Sequence, residues 1–554
     1  MKYSIEKSLA QLCLESSKKY GNRPALAMFS DGKISKKTTY KQLGAYAQKI
    51  GLLLREMGIT EGERVLLLSE NCPEWPITYF GIAFAGAVSV PLLTGFPAEQ
   101  VENIADHAQI SAVCISRTMA EKLALSENSM LLSKIPFIYI DTLTANGEES
   151  QTEITISSGG EEKRITLKNI EEDMNFSQRK PDDLATIIYT SGTSGNSKGV
   201  MLSGKNIISS AHSCLNYAKL TSRDRLISVL PLAHSYECSL GLLAPVISGA
   251  SITYLDKPPS PSVLLPAVSI VRPSVMAAVP LLLEKIYHNA IAPKLQKNKL
   301  YKFPLTRPLA IRVAGRKLIS ALGGCIRFFG IGGAPLNPEV EKFLFRAKFP
   351  YAIGYGLTEA APLVAGNSPN RSFLRASGTA PKGVSIRIAK CEEAEGEGEI
   401  QVRGPNIMLG YYNDIEKTKE VFTSDGWLRT GDLGCLDKKG RLFIRGRLKA
   451  LILGPSGENI YPEEIEGLLG SSHLVEDALV YSGQKGELVA LVRLTEAAKT
   501  AAGEIEYTLE DLRSWVNQKL SYFSRLSRIE IKHEPFEKTP TLKIKRYLYL
   551  LEKN

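Results

Sequence analysis

The chain has 554 residues and a formal net charge of +10 at pH 7, with 44% apolar and 23% charged residues. This composition excludes wholesale disorder, and the length exceeds what one hydrophobic core holds, so we expect two to four compact units. No uninterrupted apolar run reaches the roughly 20 residues that span a bilayer, and the charged start Met1–Lys7 lacks a signal-peptide core.

The cysteines and the net charge indicate which compartment and which partners to expect. The eight cysteines form no C-x-x-C pair, which favours reduced thiols in a cytoplasmic protein over disulfides or a zinc site. The positive charge fits a solvated surface, and it also suits an anionic partner such as a nucleotide, coenzyme A, an acidic carrier protein or anionic lipid. We find no nucleic-acid-binding signature and expect no nucleic-acid partner. A peripheral position at the inner face of the membrane stays open beside a cytoplasmic one.

The first 180 residues alternate strand and helix patterns. Arg64–Ser69 reads as a strand, Trp75–Ala87 as an apolar helix and Ala87–Pro91 as a second strand. This β-α-β order predicts an α/β fold of mostly parallel sheets flanked by helices. Residues 142–176 are polar and acidic, which indicates an insertion or a surface hairpin without chemistry.

A loop rich in glycine and hydroxyl groups, Tyr189–Val200, follows the apolar strand pattern Leu184–Ile188. Apolar residues then recur at helical spacing over Asn206–Leu220, so we predict that the loop joins a strand to a helix. Glycines let the backbone approach an anion, and hydroxyl and N–H groups donate to phosphate oxygens. Lys198 adds a positive charge.

The spacing of this loop excludes a Walker phosphate loop. A Walker loop requires G-x-x-x-x-G-K-[ST]. Here Gly192 and Gly195 are only three positions apart, and Gly199 follows Lys198. The bare pattern is also compatible with a solvated turn.

Two segments in the middle of the chain each allow two interpretations. His234, in Leu230–Glu237, is either a packed or capping histidine or a group beside a substrate, and the apolar residues at 240–247 either line a tunnel or form a core helix. Residues 294–318 are rich in Lys and Arg. Such a run is usually a solvated face, and the alternative is a docking patch for a membrane surface or an acidic carrier.

Two later segments contain residue types that are typical of a nucleotide-binding site. Small residues in Gly330–Pro335 let a flat base or sugar lie on the backbone. Ile353–Glu359 offers an aromatic face, hydroxyl groups and a carboxylate within a short segment. Tyr355 could stack on adenine, Thr358 could donate to the α-phosphate, and Glu359 could hold Mg²⁺, which prefers hard oxygen ligands.

Charged residues near the C-terminus extend this set. Asp432 lies in a glycine-flanked turn, and a carboxylate is a natural acceptor for two ribose hydroxyls. Arg447 could reach the same sugar or the phosphates. The segment Lys538–Arg546 is basic, and taken alone it is compatible with a solvated C-terminal tail that has no function.

In their order and separations these segments resemble the adenylate-forming (AMP-binding) superfamily of acyl-CoA synthetases, luciferases and peptide-synthetase adenylation domains. The resemblance covers roughly residues 8–550. The forms of Leu230–Glu237, Arg272–Tyr287 and Ser456–Glu466 are similar to the long-chain fatty acid–CoA ligase and acyl-carrier-protein synthetase branch. The resemblance implies a large N-terminal domain, residues 1–447, and a small mobile α+β C-terminal domain, residues 448–554, which swings about a hinge at Lys449.

The resemblance also implies roles for individual residues. Lys543, Glu359, Thr190 and Lys198 are expected to be catalytic, with Glu359 and Thr190 at the metal. His234 and Tyr236 are expected beside the acid substrate. The expected nucleotide contacts are Thr190, Ser191, Gly192, Thr193, Ser194, Gly195, Lys198, Gly333, Ala334, Pro335, Gly354, Tyr355, Gly356, Leu357, Thr358, Asp432, Arg447 and Lys543.

The implied activity is the ATP- and Mg²⁺-dependent activation of a long-chain fatty acid to an acyl adenylate, followed by transfer to the thiol of coenzyme A. A rival is transfer to an acyl carrier protein, for which the basic patches are equally suited. A third reading, from a different class, is a nucleotide- or lipid-binding protein with a dead site. The presence of Lys198, Glu359, Asp432, Arg447 and Lys543 argues against that reading.

Overall fold

A computed structural model describes residues 6–124, 135–145, 152–158, 161–167, 179–191, 197–391, 394–453, 459–472, 474–483, 486–495, 498, 505–539 and 543–550. Two large mixed sheets form its centre, and each is parallel in the middle and antiparallel at its edges. The α/β class predicted from the sequence is therefore confirmed. In the described part of the chain no helix is long and apolar enough to cross a membrane.

The first sheet has the strand order β16-β15-β14-β13-β11-β12-β1-β2. Its strands are β1 (Pro24–Ser30), β2 (Lys33–Thr39), β11 (Arg225–Ile227), β12 (Ser251–Leu255), β13 (Val275–Ala278), β14 (Phe328–Ile331), β15 (Tyr351–Gly356) and β16 (Leu363–Gly366). The strands from β15 across to β1 are parallel, as their buried apolar runs favour.

The second sheet has the order β19-β10-β9-β4-β3-β5-β6-β7-β8. Its strands are β3 (Arg64–Leu68), β4 (Val88–Pro91), β5 (Ile110–Ile115), β6 (Phe137–Ala145), β7 (Thr152–Ser158), β8 (Glu161–Leu167), β9 (Leu184–Ser191), β10 (Ser197–Ser203) and β19 (Gly410–Tyr411). The polar stretch predicted as an insertion or hairpin forms the antiparallel edge β6-β7-β8 as far as residue 167.

Helices cover both sheets and connect their strands. They are α1 (Leu9–Tyr20), α2 (Tyr40–Glu56), α3 (Glu74–Ala85), α4 (Ala98–His107), α5 (Arg117–Ala124), α6 (Gly204–Ala218), α7 (Ala244–Ser248), α8 (Pro261–Val271), α9 (Pro280–Ile286), α10 (Ala292–Lys297), α11 (Lys299–Lys302), α12 (Arg307–Ala321) and α13 (Pro338–Ala347). Two π-helical turns, Glu237–Leu243 and Tyr287–Ile291, precede α7 and α10. Short 3₁₀ turns lie at Thr358–Ala360 and Pro369–Arg371.

Capping residues fix where several of these helices begin. Thr39 accepts from the backbone N–H of Gln42, whose side chain accepts from the backbone of Thr39. Ser203 and Asn206 form the same reciprocal pair at the start of α6. Each pair satisfies two backbone donors that a helix start leaves unpaired.

Smaller sheets complete the fold. An antiparallel sheet of β17 (Ser385–Cys391), β18 (Ala394–Arg403), β20 (Leu428–Leu436) and β21 (Leu442–Arg447) is accompanied by α14 (Ile415–Val421) and followed by a 3₁₀ turn at Leu448–Ala450. Beyond it lie β22 (Ile452–Leu453), β23 (Asn459–Ile460), α15 (Pro462–Leu469), β24 (Val475–Ser482), β25 (Leu488–Leu494), α16 (Ile505–Asn517), a 3₁₀ turn at Tyr522–Ser524, β26 (Arg528–Ile531) and α17 (Tyr547–Leu550). We call residues 452–550 the C-terminal unit.

The C-terminal unit has an apolar core of its own. Ile465 and Leu469 of α15 pack with residues of β24, β25 and α16 in a cluster separate from those of the large sheets. Pro462 occupies the first turn of α15, where its missing N–H costs nothing, as the sequence predicts. The domain boundary between residues 447 and 448 stays a prediction.

One prediction about connectivity is wrong. The glycine- and hydroxyl-rich loop does not lead from a strand into a helix, because β10 intervenes and pairs antiparallel with β9 before α6 begins. Residues Ser197–Ser203 are few enough that a strand and a helix start give similar apolar patterns, and pairing with the buried β9 decides in favour of the strand.

Candidate active site

The predicted nucleotide segments follow two neighbouring parallel strands. Ile331 of β14 lies opposite Ile353 of β15, so both strands end at the same edge of the first sheet. Gly333, Ala334 and Pro335 come after β14 and are exposed. Gly354, Tyr355 and Gly356 end β15, and Leu357 and Thr358 follow directly. Ligands of open α/β sheets bind in the crevice outside the carboxyl ends of the parallel strands.

Asp432 is the most constrained carboxylate of the site. Its Oδ2 accepts a hydrogen bond of 2.5 Å from the hydroxyl of Tyr355, and its Oδ1 lies 2.8 Å from Nε of Arg447. Burial raises the pKa of Asp432, and the Arg447 charge and the Tyr355 hydrogen bond act in the opposite direction. An ionised carboxylate has about four lone-pair sites, so two protein donors leave room for two ligand hydroxyls.

Glu359 lies in the 3₁₀ turn after β15 and has a different partner. Its Oε1 accepts a hydrogen bond of 2.8 Å from the hydroxyl of Tyr411 in β19. The Tyr411 ring in turn lies 5.1 Å below the ammonium of Lys198 in β10. Among the described residues only Tyr411 donates to the Glu359 carboxylate, which leaves the other oxygen available to a cation with oxygen ligands.

The start and end of the glycine-rich loop are held by the β9–β10 hairpin. Thr190 and Lys198 are direct cross-strand partners, so their side chains lie on the same face of the sheet. Ser191 is the last residue of β9. The predicted contacts Gly192, Thr193, Ser194 and Gly195 lie outside the described residues.

Lys543 of the C-terminal unit reaches the same site. The residue is exposed, yet desolvation of its ammonium and the neighbouring Arg447 lower its pKa, while Asp432, Glu463 and Glu359 raise it. Its charge also lowers the pKa of His234. The lysine therefore lies within electrostatic reach of the nucleotide carboxylates and of the predicted acid site at once.

The segment that carries Lys543 is anchored on both sides. Its backbone bonds to Thr539 in both directions, through the Thr539 N–H to the Lys543 carbonyl (2.8 Å) and the Lys543 N–H to the Thr539 hydroxyl (3.2 Å). Lys538 pairs with Asp477 at 2.7 Å, and Arg546 pairs with Glu466. These contacts lie within the C-terminal unit, so they fix the backbone of Lys543 relative to that unit.

His234 and Tyr236 lie between the end of β11 and the π-helical turn. Burial, with a smaller effect of Lys543, lowers the pKa of His234 to about 4, so it is neutral at physiological pH. Its Nδ1 accepts from the backbone N–H of Tyr236 at 3.2 Å. Tyr236 lies against the end of β14: a Cβ added at Gly330 would come within 2.8 Å of its hydroxyl oxygen.

Glu237, next to Tyr236, is enclosed in the protein. The hydroxyl of Ser228 donates to its Oε1 at 2.6 Å, whereas its Oε2 has no hydrogen-bond partner among the described residues. Burial raises its pKa to about 8. A Cβ added at Gly241, one turn further, would lie 2.3 Å from the carboxylate.

Asn71 ties this region to the second sheet. Its amide donates to the Ser228 hydroxyl at 3.0 Å and to the Leu230 carbonyl at 2.6 Å, and its oxygen accepts from the N–H of Leu232 at 2.9 Å. It thereby fixes the turn that leads to His234.

Two residues near the site were missed by sequence reasoning. Tyr411 is 52 positions from Glu359, and no local pattern links them. Glu463, which follows the helix-starting Pro462, acts electrostatically on Lys543, and burial raises its pKa. An acidic residue after a helix-starting proline usually serves the helix itself, so the sequence offered no reason to assign it to a site. Lys449, the predicted hinge, is exposed in the 3₁₀ turn at Leu448–Ala450.

Comparisons with known proteins agree with this geometry. The model of the family "AMP-binding enzyme" matches residues 13–412. The chain belongs to this family. The predicted membership of the adenylate-forming superfamily is thus confirmed.

Two curated relatives are similar over almost the whole chain. "Long chain acyl-CoA synthetase 6, peroxisomal" from Arabidopsis thaliana is 30% identical, over 92% of this chain and 79% of its own. A "4-coumarate–CoA ligase" from Vanilla planifolia is 27% identical, over 97% and 92%. Among solved structures, ATP-bound MatB from Rhodopseudomonas palustris superposes with a TM-score of 0.75 over 98% of both chains, at 24% identity, and supports the fold alone.

Proposed function

We propose that this chain is an AMP-forming ligase that joins a long-chain fatty acid to coenzyme A through an acyl adenylate. One set of contacts supports the proposal: Lys198 lies over the ring of Tyr411, which donates to Glu359, and Asp432 pairs with Arg447. Arg447, Asp432 and Glu359 in turn act electrostatically on the pKa of Lys543. The similarity to a long chain acyl-CoA synthetase supports the choice of substrate, and the similarity to a 4-coumarate–CoA ligase makes an aromatic acid the alternative to test.

In the first half-reaction an oxygen of the fatty carboxylate attacks the α-phosphorus of ATP. A new bond forms between this oxygen and the α-phosphorus, and the bond from the α-phosphorus to the oxygen bridging to the β-phosphorus breaks. Pyrophosphate leaves with the electron pair. Because two anions must meet, the step needs positive charge where negative charge accumulates, and Lys543 and Lys198 supply it.

Asp432 and Arg447 hold the nucleotide in this scheme. The spare lone pairs of Asp432 accept the ribose hydroxyls, and Tyr355 and Arg447 keep the carboxylate in one orientation. Glu359, oriented by Tyr411, would hold Mg²⁺ together with Thr190 and phosphate oxygens. The bound ion supplies charge neutralisation at the phosphates.

In the second half-reaction the thiol of coenzyme A loses its proton to solvent, and the thiolate sulfur attacks the acyl carbon. AMP leaves with the electron pair of the broken carbon–oxygen bond. His234 is neutral and lies within electrostatic reach of Lys543, which fits a group that lines the carboxylate path without adding charge to it. We propose that the C-terminal unit moves about Lys449 between the two steps and withdraws Lys543 from the site.

A pyrophosphate-release assay with purified protein tests the proposal. It uses fatty acids of graded length from octanoate to stearate, with 4-coumarate as the matched aromatic acid, each with ATP and Mg²⁺. We expect release that increases towards the long-chain acids, and conversion of the adenylate to a thioester by coenzyme A. A preference for 4-coumarate would mean that the substrate is an aromatic acid. Thioester formation only with acyl carrier protein would mean that this protein, and not coenzyme A, is the acceptor. If no acid led to pyrophosphate release, the proposed ligase activity would be wrong.

A further inference from the structure

The helices α10–α12 form a strongly basic surface, which we call the basic platform (residues 292–321). The sequence contains no Asp or Glu from Lys285 to Asn337. Eight cationic side chains of the platform are exposed, and among the described residues none of them has a carboxylate within salt-bridge distance. They are Lys294, Lys297, Lys299, Lys302, Arg307, Arg312, Arg316 and Lys317. Elsewhere on the protein surface, by contrast, many exposed Arg and Lys side chains form salt bridges with carboxylates.

Apolar side chains protrude from the same platform. Phe303 and Leu305, in the turn between α11 and α12, have 67% and 96% of their surface exposed. In α12 the exposed residues Leu309, Arg312, Val313 and Arg316 follow the i, i+3, i+4, i+7 spacing of a single helix face. The opposite face of α12, with Ile311 and Leu318, is buried in the protein core.

We propose that the basic platform docks on an anionic lipid bilayer. Clustered Lys and Arg are attracted to the negative surface potential of such a bilayer, and a phenylalanine and leucines on a protruding turn insert at the boundary between headgroups and acyl chains. An acidic protein partner would satisfy the cations, but it would not require a leucine that is almost completely exposed at the outermost turn. The platform therefore fits a lipid surface better than a protein.

The platform is connected to the candidate active site through α9. Val279, just before α9, lies 3.8 Å from the position of a Cβ at Gly333. Glu284 in α9 accepts a hydrogen bond of 2.8 Å from the backbone N–H of Asn337. Only α9 would therefore separate a bilayer in contact with the platform from the segment that follows β14. This part of the inference depends on the proposed function, because only a long-chain acid is concentrated in the bilayer.

Vesicle co-sedimentation tests the docking without any turnover. The full-length protein is mixed with vesicles of phosphatidylcholine alone, or with vesicles that also contain phosphatidylglycerol, at low and at high salt. We expect binding to the anionic vesicles that is at least about tenfold stronger than to the neutral ones and that weakens as salt screens the charges. Equal binding to both vesicles, or none, would overturn the proposal, as would binding to an acidic acyl carrier protein in place of the vesicles.

Substitutions locate the surface. Lys299→Glu/Lys302→Glu should weaken binding to anionic vesicles by at least about tenfold, and Phe303→Ser/Leu305→Ser should remove the part of binding that resists salt. The matched control Lys163→Glu/Lys180→Glu reverses two exposed charges of the second sheet, on β8 and before β9, and should bind as the wild type does. Equal loss in the control and in the platform variant would show a general charge effect and overturn the assignment.

Activity assays separate this inference from the proposed function. With a soluble short-chain acid, pyrophosphate release by the platform variants should stay within about twofold of the wild-type rate. With a long-chain acid delivered in anionic vesicles, it should fall in parallel with binding. If the wild type released no pyrophosphate with any acid, the proposed ligase activity would be wrong, but the sedimentation result would still stand. If variants that no longer bind vesicles used vesicle-borne acid as fast as the wild type, docking would have no role in substrate supply.

Discussion

The two sides of the candidate site differ in how their carboxyl groups are partnered. On the nucleotide side, Asp432 and Glu359 each have tyrosine donors and face charged neighbours. On the acid side, Glu237 is completely enclosed, with one hydroxyl donor and one oxygen without a partner among the described residues. A carboxylate that retains free lone pairs can serve a ligand, whereas an enclosed carboxyl kept neutral by burial serves the packing around it. We therefore propose that Asp432 and Glu359 serve the nucleotide and that Glu237 serves the packing around it.

The largest expected effect concerns the cation that both sides share. Lys543→Ala removes positive charge where the carboxylate meets the α-phosphate, so the first half-reaction should slow by about 100- to 1000-fold. The second half-reaction, started from a supplied acyl adenylate, should change by less than about threefold. Single-turnover measurement of each half-reaction checks this, with Lys545→Ala as the nearby control. Equal loss in both half-reactions would contradict the assigned role.

On the nucleotide side, Asp432→Asn tests the ribose assignment. The amide has nearly the same shape but loses the charge that pairs with Arg447, so the KM for ATP should rise about tenfold or more, while the KM for the acid stays the same. Asp437→Asn, which disturbs the Arg441 pair in the turn of the same β20–β21 hairpin, is the control. An unchanged ATP dependence in the Asp432 variant would remove this residue from the nucleotide site.

A smaller effect is expected when Tyr411 loses only its hydroxyl. Tyr411→Phe keeps the ring beneath Lys198 but leaves Glu359 without its donor, so the Mg²⁺ concentration at half-maximal rate should rise about fivefold. Titration of initial rates with Mg²⁺ measures this. The control is Tyr412→Phe, and a change of the same size there would show that the substitution acts through general packing.

On the acid side, Glu237→Gln should change stability and not the nucleotide parameters. The pKa of Glu237 is raised to about 8, so between about pH 4.5 and pH 8 the folded protein holds a proton that the unfolded chain has lost. The free energy of unfolding therefore falls with rising pH in this range, by at most about 1.4 kcal/mol per pH unit from this group. In the Glu237→Gln variant this contribution disappears, because the amide does not titrate.

Thermal unfolding of both proteins at pH 5, 6, 7 and 8 checks that expectation. The melting temperature of the variant relative to the wild type should increase by a few degrees towards pH 8. Glu121→Gln, at an exposed position, should follow the wild type at every pH. A constant difference between Glu237→Gln and the wild type would mean that the carboxyl is ionised throughout and that it belongs with the nucleotide-side acids.

Local sequence patterns mark more of the proposed nucleotide side than of the proposed acid side. The segments around Tyr355, Asp432 and Arg447 have local patterns. The parallel strands β14 and β15 end side by side, and the antiparallel pairing of β20 with β21 places Asp432 directly opposite Arg447. The partner of Glu359 could not be predicted, because the pairing of β19 with β10 that brings Tyr411 near depends on tertiary contacts. The enclosure of Glu237 was missed for the same reason, since its partner Ser228 is close in sequence but is held in place by the distant Asn71.

The paired hydrogen bonds between Thr539 and Lys543, together with the Asp477 and Glu466 anchors, tie the backbone of Lys543 to the rest of the C-terminal unit. A change of the lysine rotamer takes nanoseconds and moves only the side chain, whereas the backbone of Lys543 can leave the site only together with the roughly 100 residues of this unit. The rate of the catalytic cycle would then be limited by a movement of the whole C-terminal unit, which takes microseconds to milliseconds. Substitutions of Asp477 or Glu466 would change this rate, although both residues lie outside the proposed substrate site.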